Sequence, residues 1–299
     1  MFTSNGNLLF ASEQLSERAK KAYYALKSSI PGNNNLSVQI LLKLYQSMII
    51  PIITYGSEIW ITEYKLDIKS SYCFPFEKAQ NHIFKDILGV HRKASNLAVN
   101  AELGAYPLYY LCYENMFKYF TRLSDMESNT TYNNSLLVSA FKEDKLLASK
   151  KTYSSWQSKI FNLQQKLNLT SLNISHKDFR FKLDKNFVDM IYEQLNKISC
   201  SRSGKLYFYS NILNRVDYKL QDYLKFPLKK HERSQLTKLR ISAHLLFIET
   251  GRYCKPIIPK EKRFCYNCKL LVENEKHFVL YCPVYDNLRF QYCDIFNDE

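Results

Sequence analysis

The sequence is poor in the residues that cut a chain into short pieces. Among 299 residues there are seven Gly and eight Pro. A sandwich or barrel of many short strands needs turn residues at regular short intervals, so long helices are expected instead. Long hydrophobic runs are also missing. The most apolar stretches, MIIPII (48–53) and AHLLFI (243–248), fall well short of a bilayer span of about 20 residues. The opening MFTSNGNLLF lacks the basic head and apolar run of a secretory signal. There is no Asp-Asp pair, no GxxxxGK[ST] phosphate loop, and no GxGxxG, GxSxG or HExxH. The stretch from His82 to His91 offers no acidic partner pattern. Metal-ion hydrolysis needs clustered carboxylates, so a nuclease is not expected. The eight Cys, at 73, 112, 200, 254, 265, 268, 282 and 293, cluster only near the end. Without a secretory signal they read as free thiols in a reducing compartment. The expected location is intracellular, in the nucleus or cytoplasm, with no membrane partner.

What is present can build a core. The chain is 46% hydrophobic and 15% aromatic, so disorder is not the default. Its formal net charge is +14. A folded basic chain of this kind meets nucleic acid or an anionic surface. The charge is uneven. Residues 202–263 hold fifteen Lys/Arg against five Asp/Glu, a net +10 in 62 residues, and such asymmetry says more than the total.

The fold class expected is mainly α. Leu15, Ala19, Ala22, Leu26 and Ile30 recur at helical spacing after a candidate cap at Ser12, and Pro31-Gly32 ends the run. A turn is expected at Asn5-Gly6. A second helix begins after Ser37, with Val38, Leu41, Leu42, Tyr45 and Met48 inward, and Pro51 interrupts it. PIITYGSEIW (51–60) reads as core packing. A third helix spans Phe76–Leu88, with Phe76, Ala79, Ile83, Phe84 and Ile87 inward and Gly89 as its stop. Residues 101–123 form the next helical stretch, with Pro107 suited to a first turn. The polar tract 124–135 reads as a loop and a boundary. Beyond it, Trp156, Ile160, Leu163 and Leu167 mark one helical face, and Phe187, Met190, Ile191, Leu195 and Ile198 another. Residues 235–249 read as one helix, with Leu236, Leu239, Ala243, Leu246 and Phe247 expected inward.

One cluster carries chemistry. Cys265, Cys268, His277 and Cys282 follow the spacing C-x2-C-x8-H-x4-C. Two Cys two residues apart can offer both thiolates to one ion, and eight residues let the chain return with a second pair. Three thiolates and one imidazole fill the tetrahedral shell of a structural zinc and leave no open position for catalysis. Such a metal would staple a segment with almost no core of its own. A CxxC redox pair is the rival, without its βαβ context here. Cys254 and Cys293 are nearby competitors with poorer spacing. Lys260, Lys262, Arg263, Lys269, Lys276 and Arg289 surround the cluster, interleaved with Tyr266, Phe278, Tyr281 and Tyr285. Cations neutralise phosphates and aromatic faces stack on unpaired bases. Glu273 and Glu275 read as solvent-exposed loop charges.

Five stretches, in order, resemble the C-terminal part of non-LTR (LINE-type) retrotransposon reverse transcriptases: YQSMIIPIITYGSEIW (45–60), FEKAQNHIFKDILGVHRKASN (76–96), AELGAYPL (101–108), LTKLRISAHLLFIETGRY (236–253) and CYNCKLLVENEKHFVLYCPVYDNLR (265–289). SNGNLLFASEQLSERAKKAYYAL (4–26) is similar to the stretch where palm gives way to thumb. The resemblance implies a remnant of the palm edge (1–10), thumb-like helices (11–125), a basic linker (136–255) and a zinc knuckle (260–290). In that family the catalytic aspartates sit on the palm, which would lie upstream of Met1. No catalytic residue is therefore expected here, and the chain alone should not extend a primer. The partners expected are RNA or DNA and an upstream palm of the same polyprotein. Lys229, Lys230, Arg233, Lys238 and Arg240 are the expected phosphate contacts of the linker, and the knuckle is expected to present Arg263, Tyr266, Lys269 and Arg289 to a single strand or a duplex end. Two alternatives stay open: a domesticated zinc-containing protein-interaction module, and a non-functional remnant whose exposed apolar run 51–60 drives aggregation.

Overall fold

The computed structural model describes residues 8–30, 36–64, 73–132, 135–150, 155–167, 175–200, 206–213 and 218–292. Among them the chain is mainly helical, and β pairing is limited to one antiparallel bridge, Phe264 to Val272. The turn expected at Asn5-Gly6, the stop at Pro31-Gly32 and Cys293 lie outside the described residues.

Helix α1 (Leu9–Ser29) begins one turn earlier than its sequence signals indicate. Ser12 is no cap. It is buried inside the helix, where its Oγ donates to the Leu9 carbonyl at 2.7 Å and meets the Tyr64 hydroxyl at 2.5 Å. The buried face is Ser12, Leu15, Ser16, Ala19 and Tyr23. Ser37 does cap α2 (Val38–Ile53), accepting from the Ile40 N–H at 3.4 Å. Pro51 does not stop this helix. A wide π turn at Tyr45–Ile49 carries the chain through, with the Ile50 N–H bonded to the Tyr45 carbonyl. That extra residue in the turn rotates the face. Tyr45, Ile49 and Ile53 are buried, while Met48, expected inward, is half exposed.

Next come α3 (Ser57–Trp60) and α4 (Pro75–Leu88). The five inward residues expected of α4 are all buried, and Gly89 closes it in the left-handed conformation. The stretch 101–123 covers the end of one helix and most of the next, with Pro107 at the start of the second as expected. α5 (Asn96–Leu103) ends at Gly104, and α6 (Leu108–Ser128) starts after Pro107. Gly104 has φ +59°, and a Cβ there would sit 2.3 Å from the Lys219 carbonyl carbon, so the close crossing of chains requires glycine. α6 then runs well into the polar tract expected as a loop. Ser124 and Ser128 bond back to the Phe120 and Asp125 carbonyls, and Glu127 pairs with Lys145 at 2.9 Å. Their polar groups are satisfied without leaving the helix.

The remaining elements are α7 (Leu136–Ser149), α8 (Trp156–Lys166), α9 (His176–Ser199), α10 (Tyr207–Leu213), α11 (Lys230–Arg240), α12 (Phe247–Thr250) and α13 (Asp286–Gln291). One apolar core runs from Ala19 to Ile241. It crosses the polar tract: Phe117 of α6 stacks on Phe179 of α9 with centroids 4.1 Å apart. No single described helix is long and apolar enough to cross a membrane. The bent pair Val38–Ile53 and Ser57–Glu63 matches by length and composition only. Its inner side (Tyr45, Ile49, Ile53, Trp60, Ile61) belongs to the core.

The helix expected over 235–249 is broken: α11 ends at Arg240, the Ala243 N–H closes back on the Lys238 carbonyl at 2.8 Å, and helical structure resumes only in α12. α11 also departs most from its pattern. Leu236, expected inward, is 38% exposed, and the buried residues are Arg233, Ser234 and Thr237. The reason is what the helix packs on. Arg233 donates to the carbonyls of Leu36 (3.2 Å) and Ile87 (3.3 Å), and Ser234 to that of Gly89 (2.7 Å). The carbonyls at the end of α4 have no partners within their own helix and carry its negative dipole end, so a polar, cationic face fits there.

Candidate metal centre

The segment after α12 holds itself together with few apolar contacts. Phe264 and Val272 pair, Cys265 N–H bonds to the Leu271 carbonyl at 2.8 Å, and Glu273 N–H to the Arg263 carbonyl at 2.8 Å. Between them the chain folds back on itself. Lys269 N–H reaches the Cys265 carbonyl at 2.9 Å, and Lys269 takes φ +59°. This tight reversal turns both Cys265 and Cys268 toward one point.

His277 and Cys282 arrive on a second π turn, His277–Tyr281. In an α-helix, residues five apart diverge by about 140°. The wider turn, closed by the Cys282 N–H on the His277 carbonyl at 2.8 Å, brings them to one side. The Asn274 side chain fixes the start of the turn by accepting from the His277 N–H at 2.7 Å.

The four donor atoms lie within 4.8 Å of one another. Cys265 Sγ is 4.0 Å from Cys282 Sγ, and Cys268 Sγ is 3.3 Å from His277 Nε2. A tetrahedral ion with metal–sulfur bonds of about 2.3 Å needs sulfurs about 3.8 Å apart, so the donor set fits a metal. It does not fit a disulfide between Cys265 and Cys282, which needs sulfurs about 2.05 Å apart. Cys265, Cys282 and His277 are buried, and Cys268 is at the rim. Burial pushes the Cys265 thiol up, while the backbone N–H groups of Leu270 and Leu271 draw Cys268 down. Cys254, the competing ligand, lies outside this group and faces the Thr250 carbonyl at 3.9 Å. The group can hold a metal ion, with no fifth protein donor in it.

Glu273 and Glu275 are not solvent-exposed loop charges. Both are buried, and they dock this segment onto the helical body. Glu273 Oε2 accepts from the Phe247 N–H at 2.6 Å, and its carbonyl from the Ile248 N–H at 3.0 Å. Its other oxygen lies 3.6 Å from Cys265 Sγ. Glu275 Oε1 accepts from Ser242 Oγ at 3.0 Å and lies 2.9 Å from His244 Nε2. These partners hold the Glu275 carboxyl below its usual range, against the effect of burial.

The nine expected nucleic-acid contacts divide sharply. Four arginines are committed within the fold. Arg233 is buried as described. Arg240 makes a forked contact with the fully buried Glu102 at 3.1–3.2 Å. Arg263 donates to the carbonyls of Ile258 and Ile248 at 2.6–2.9 Å. Arg289 binds the Val279 and Cys282 carbonyls and Asp286, bracing the second half of the metal group. Planar guanidinium groups suit such multi-acceptor positions, which is why charge counting misplaces them. Lys229 and Lys269 are exposed, Lys230 and Lys238 half-buried. Tyr266 is 67% exposed, its ring 4.7 Å from that of Phe247.

No family model, no curated protein and no solved structure matches this chain. Fold and site together define a helical protein with a Cys3His candidate metal centre docked on its basic C-terminal half.

Proposed function

We propose that this chain binds nucleic acid as the C-terminal part of a non-LTR retrotransposon reverse transcriptase, with zinc as the structural ion of its knuckle. The observation that carries the reading is the convergence of Cys265, Cys268, His277 and Cys282 on one point. These four residues belong to the last of the ordered sequence blocks that resemble the family. Thiolate-rich tetrahedral donor sets select zinc. Lys260, Lys262, Lys269 and Lys276 are exposed and flank the centre in sequence, and Lys229 is exposed at the start of α11, with Tyr266 and Tyr281 as open aromatic faces. Phosphates would meet the lysines and unpaired bases the rings. Polymerisation belongs to an upstream palm.

The test is metal analysis and binding on the purified chain. One zinc per chain is expected, with affinity for RNA or DNA that falls steeply with salt. No zinc, or binding indifferent to salt and to competing polyanions, would reject the reading.

A second reading, a protein-interaction module, draws on one observation. The knuckle exposes Leu270, Leu271, Leu280, Val284, Leu288 and Phe290. Salt-insensitive binding to a protein partner would favour it.

A further inference from the structure

The buried arginines of α11 leave the question of where the body meets a phosphate chain. An answer lies on the opposite half of the sequence. An open cleft between α1 and α4 is lined by Lys20, Lys21 and Tyr24 from α1, Lys78 and His82 from α4, and Arg92 from the loop beyond. Glu17 is its one acid, and it is paired with Lys20 at 2.5 Å. Lys21, Lys78 and Arg92 are exposed, and their side chains make no ion pair among the described residues. Three unneutralised cations thus line one concave surface.

At its wall the Tyr24 hydroxyl and His82 Nε2 are 2.5 Å apart, with the rings edge to face at 6.0 Å. We infer that this cleft seats the phosphodiester backbone of a nucleic acid, and that His82 takes up a proton as a phosphate arrives.

The chemistry follows from the surroundings. Burial and the charges of Arg92, Lys20 and Lys85 hold His82 below its ordinary range, against the single opposing carboxylate of Asp86. That shift favours the neutral ring, and a neutral ring with its proton on Nδ1 accepts from Tyr24 at Nε2. A phosphate cancels the cationic field that opposes protonation. A proton taken from solvent onto Nε2 reverses the hydrogen bond. The ring then donates to the Tyr24 oxygen, and the Tyr24 O–H is free to turn to the phosphate. One proton enters, and one further donor and one further positive charge face the ligand.

This inference rests on the nucleic-acid reading above, and the experiment separates the two. The full zinc-loaded chain is titrated with a fluorescent 20-base-pair DNA duplex between about pH 8 and about pH 6. It is compared with Lys21→Glu/Lys78→Glu/Arg92→Glu, with the equally charged control Lys142→Glu/Lys177→Glu/Lys185→Glu, and with His82→Gln, which keeps an acceptor for Tyr24. Expected are a loss of tenfold or more for the cleft triple alone, and an affinity rise of about three- to tenfold toward low pH in the wild type that is absent in His82→Gln. Equal losses in the two triples, or the same pH profile in wild type and His82→Gln, overturn the cleft assignment while leaving nucleic-acid binding intact. No binding by the wild type overturns both. Inorganic phosphate that competes at the concentration at which it acts on the cleft triple counts against a built seat.

Discussion

At the scale of single residues, the buried charges are the sharpest features. Glu77 is fully buried in α4 and accepts the Tyr109 N–H at the start of α6 at 2.8 Å. Burial pushes its carboxyl from 4.5 up to about 8. An acid raised in the folded state stays protonated there while the unfolded chain ionises. Its effect on stability is therefore neutral below about pH 4.5, grows adverse up to about pH 8, and is constant beyond, with a slope of at most about 1.4 kcal/mol per pH unit. Glu77→Gln should keep the acceptor and flatten that decline, as read by denaturant melts from acid to neutral pH. A steeper decline in the variant would refute the assignment. Glu102, also fully buried, is matched by Arg240, with the Tyr223 hydroxyl donating at 2.6 Å. Arg240→Ala strands it. The expected loss is toward the lower end of roughly 3–5 kcal/mol, because the arginine side chain keeps 20% exposure. Pairing Arg240→Met with Glu102→Gln should recover most of it. Had Arg240 served nucleic acid alone, melting temperature would not move.

At the scale of elements, the sequence reported helices well and their edges poorly. The faces of α4 and of α8 are legible because leucines, isoleucines and phenylalanines face other apolar side chains, and spacing alone describes that. Met48 was misread because a π turn leaves no mark in a residue pattern: the added residue appears as a shift that only the register of hydrogen bonds explains. Leu236 was misread because α11 packs on carbonyl groups, and a face chosen by hydrogen bonding carries no hydrophobic period. Gly104 was visible as a letter but not as a necessity, since the Lys219 backbone that crowds it comes from 115 residues away. Here a comparison is decisive. Gly56 also has positive φ, but a Cβ there would meet only Trp60, at 4.0 Å. Gly56→Ala should cost about 1 kcal/mol, the price of the left-handed backbone. Gly104→Ala should cost roughly 2–3 kcal/mol or more, since backbone must move as well. Thermal melts of the two variants compare them directly, and equal losses would mean the crossing is looser than described.

At the scale of the whole molecule, stability is divided. The apolar core ends near Ile241, and the segment beyond it that carries the candidate metal group is held by backbone bonds and the Glu273 and Glu275 seam. Chelation should therefore act locally. Far-UV dichroism should change little, while proteases cut within 254–292 and the melting of the body shifts slightly. A cooperative collapse of the entire helical signal on chelation would show that the metal holds the body as well. Of the candidate centre, the four ligands were legible because metal geometry constrains sequence spacing closely. The docking acids were not, because a charge is read as exposed until its partner is known.

The seam has a further consequence. Apolar surfaces tolerate a small slide, whereas the Phe247, Ile248, Ser242 and His244 groups each meet one particular oxygen. The knuckle therefore has a single seat, at a constant offset from the α1–α4 cleft. A molecule that touches both must reach across that offset. Affinity measured against oligonucleotides of increasing length should rise in a step at the first length that bridges it, and not as a smooth slope. The protein would then act as a ruler.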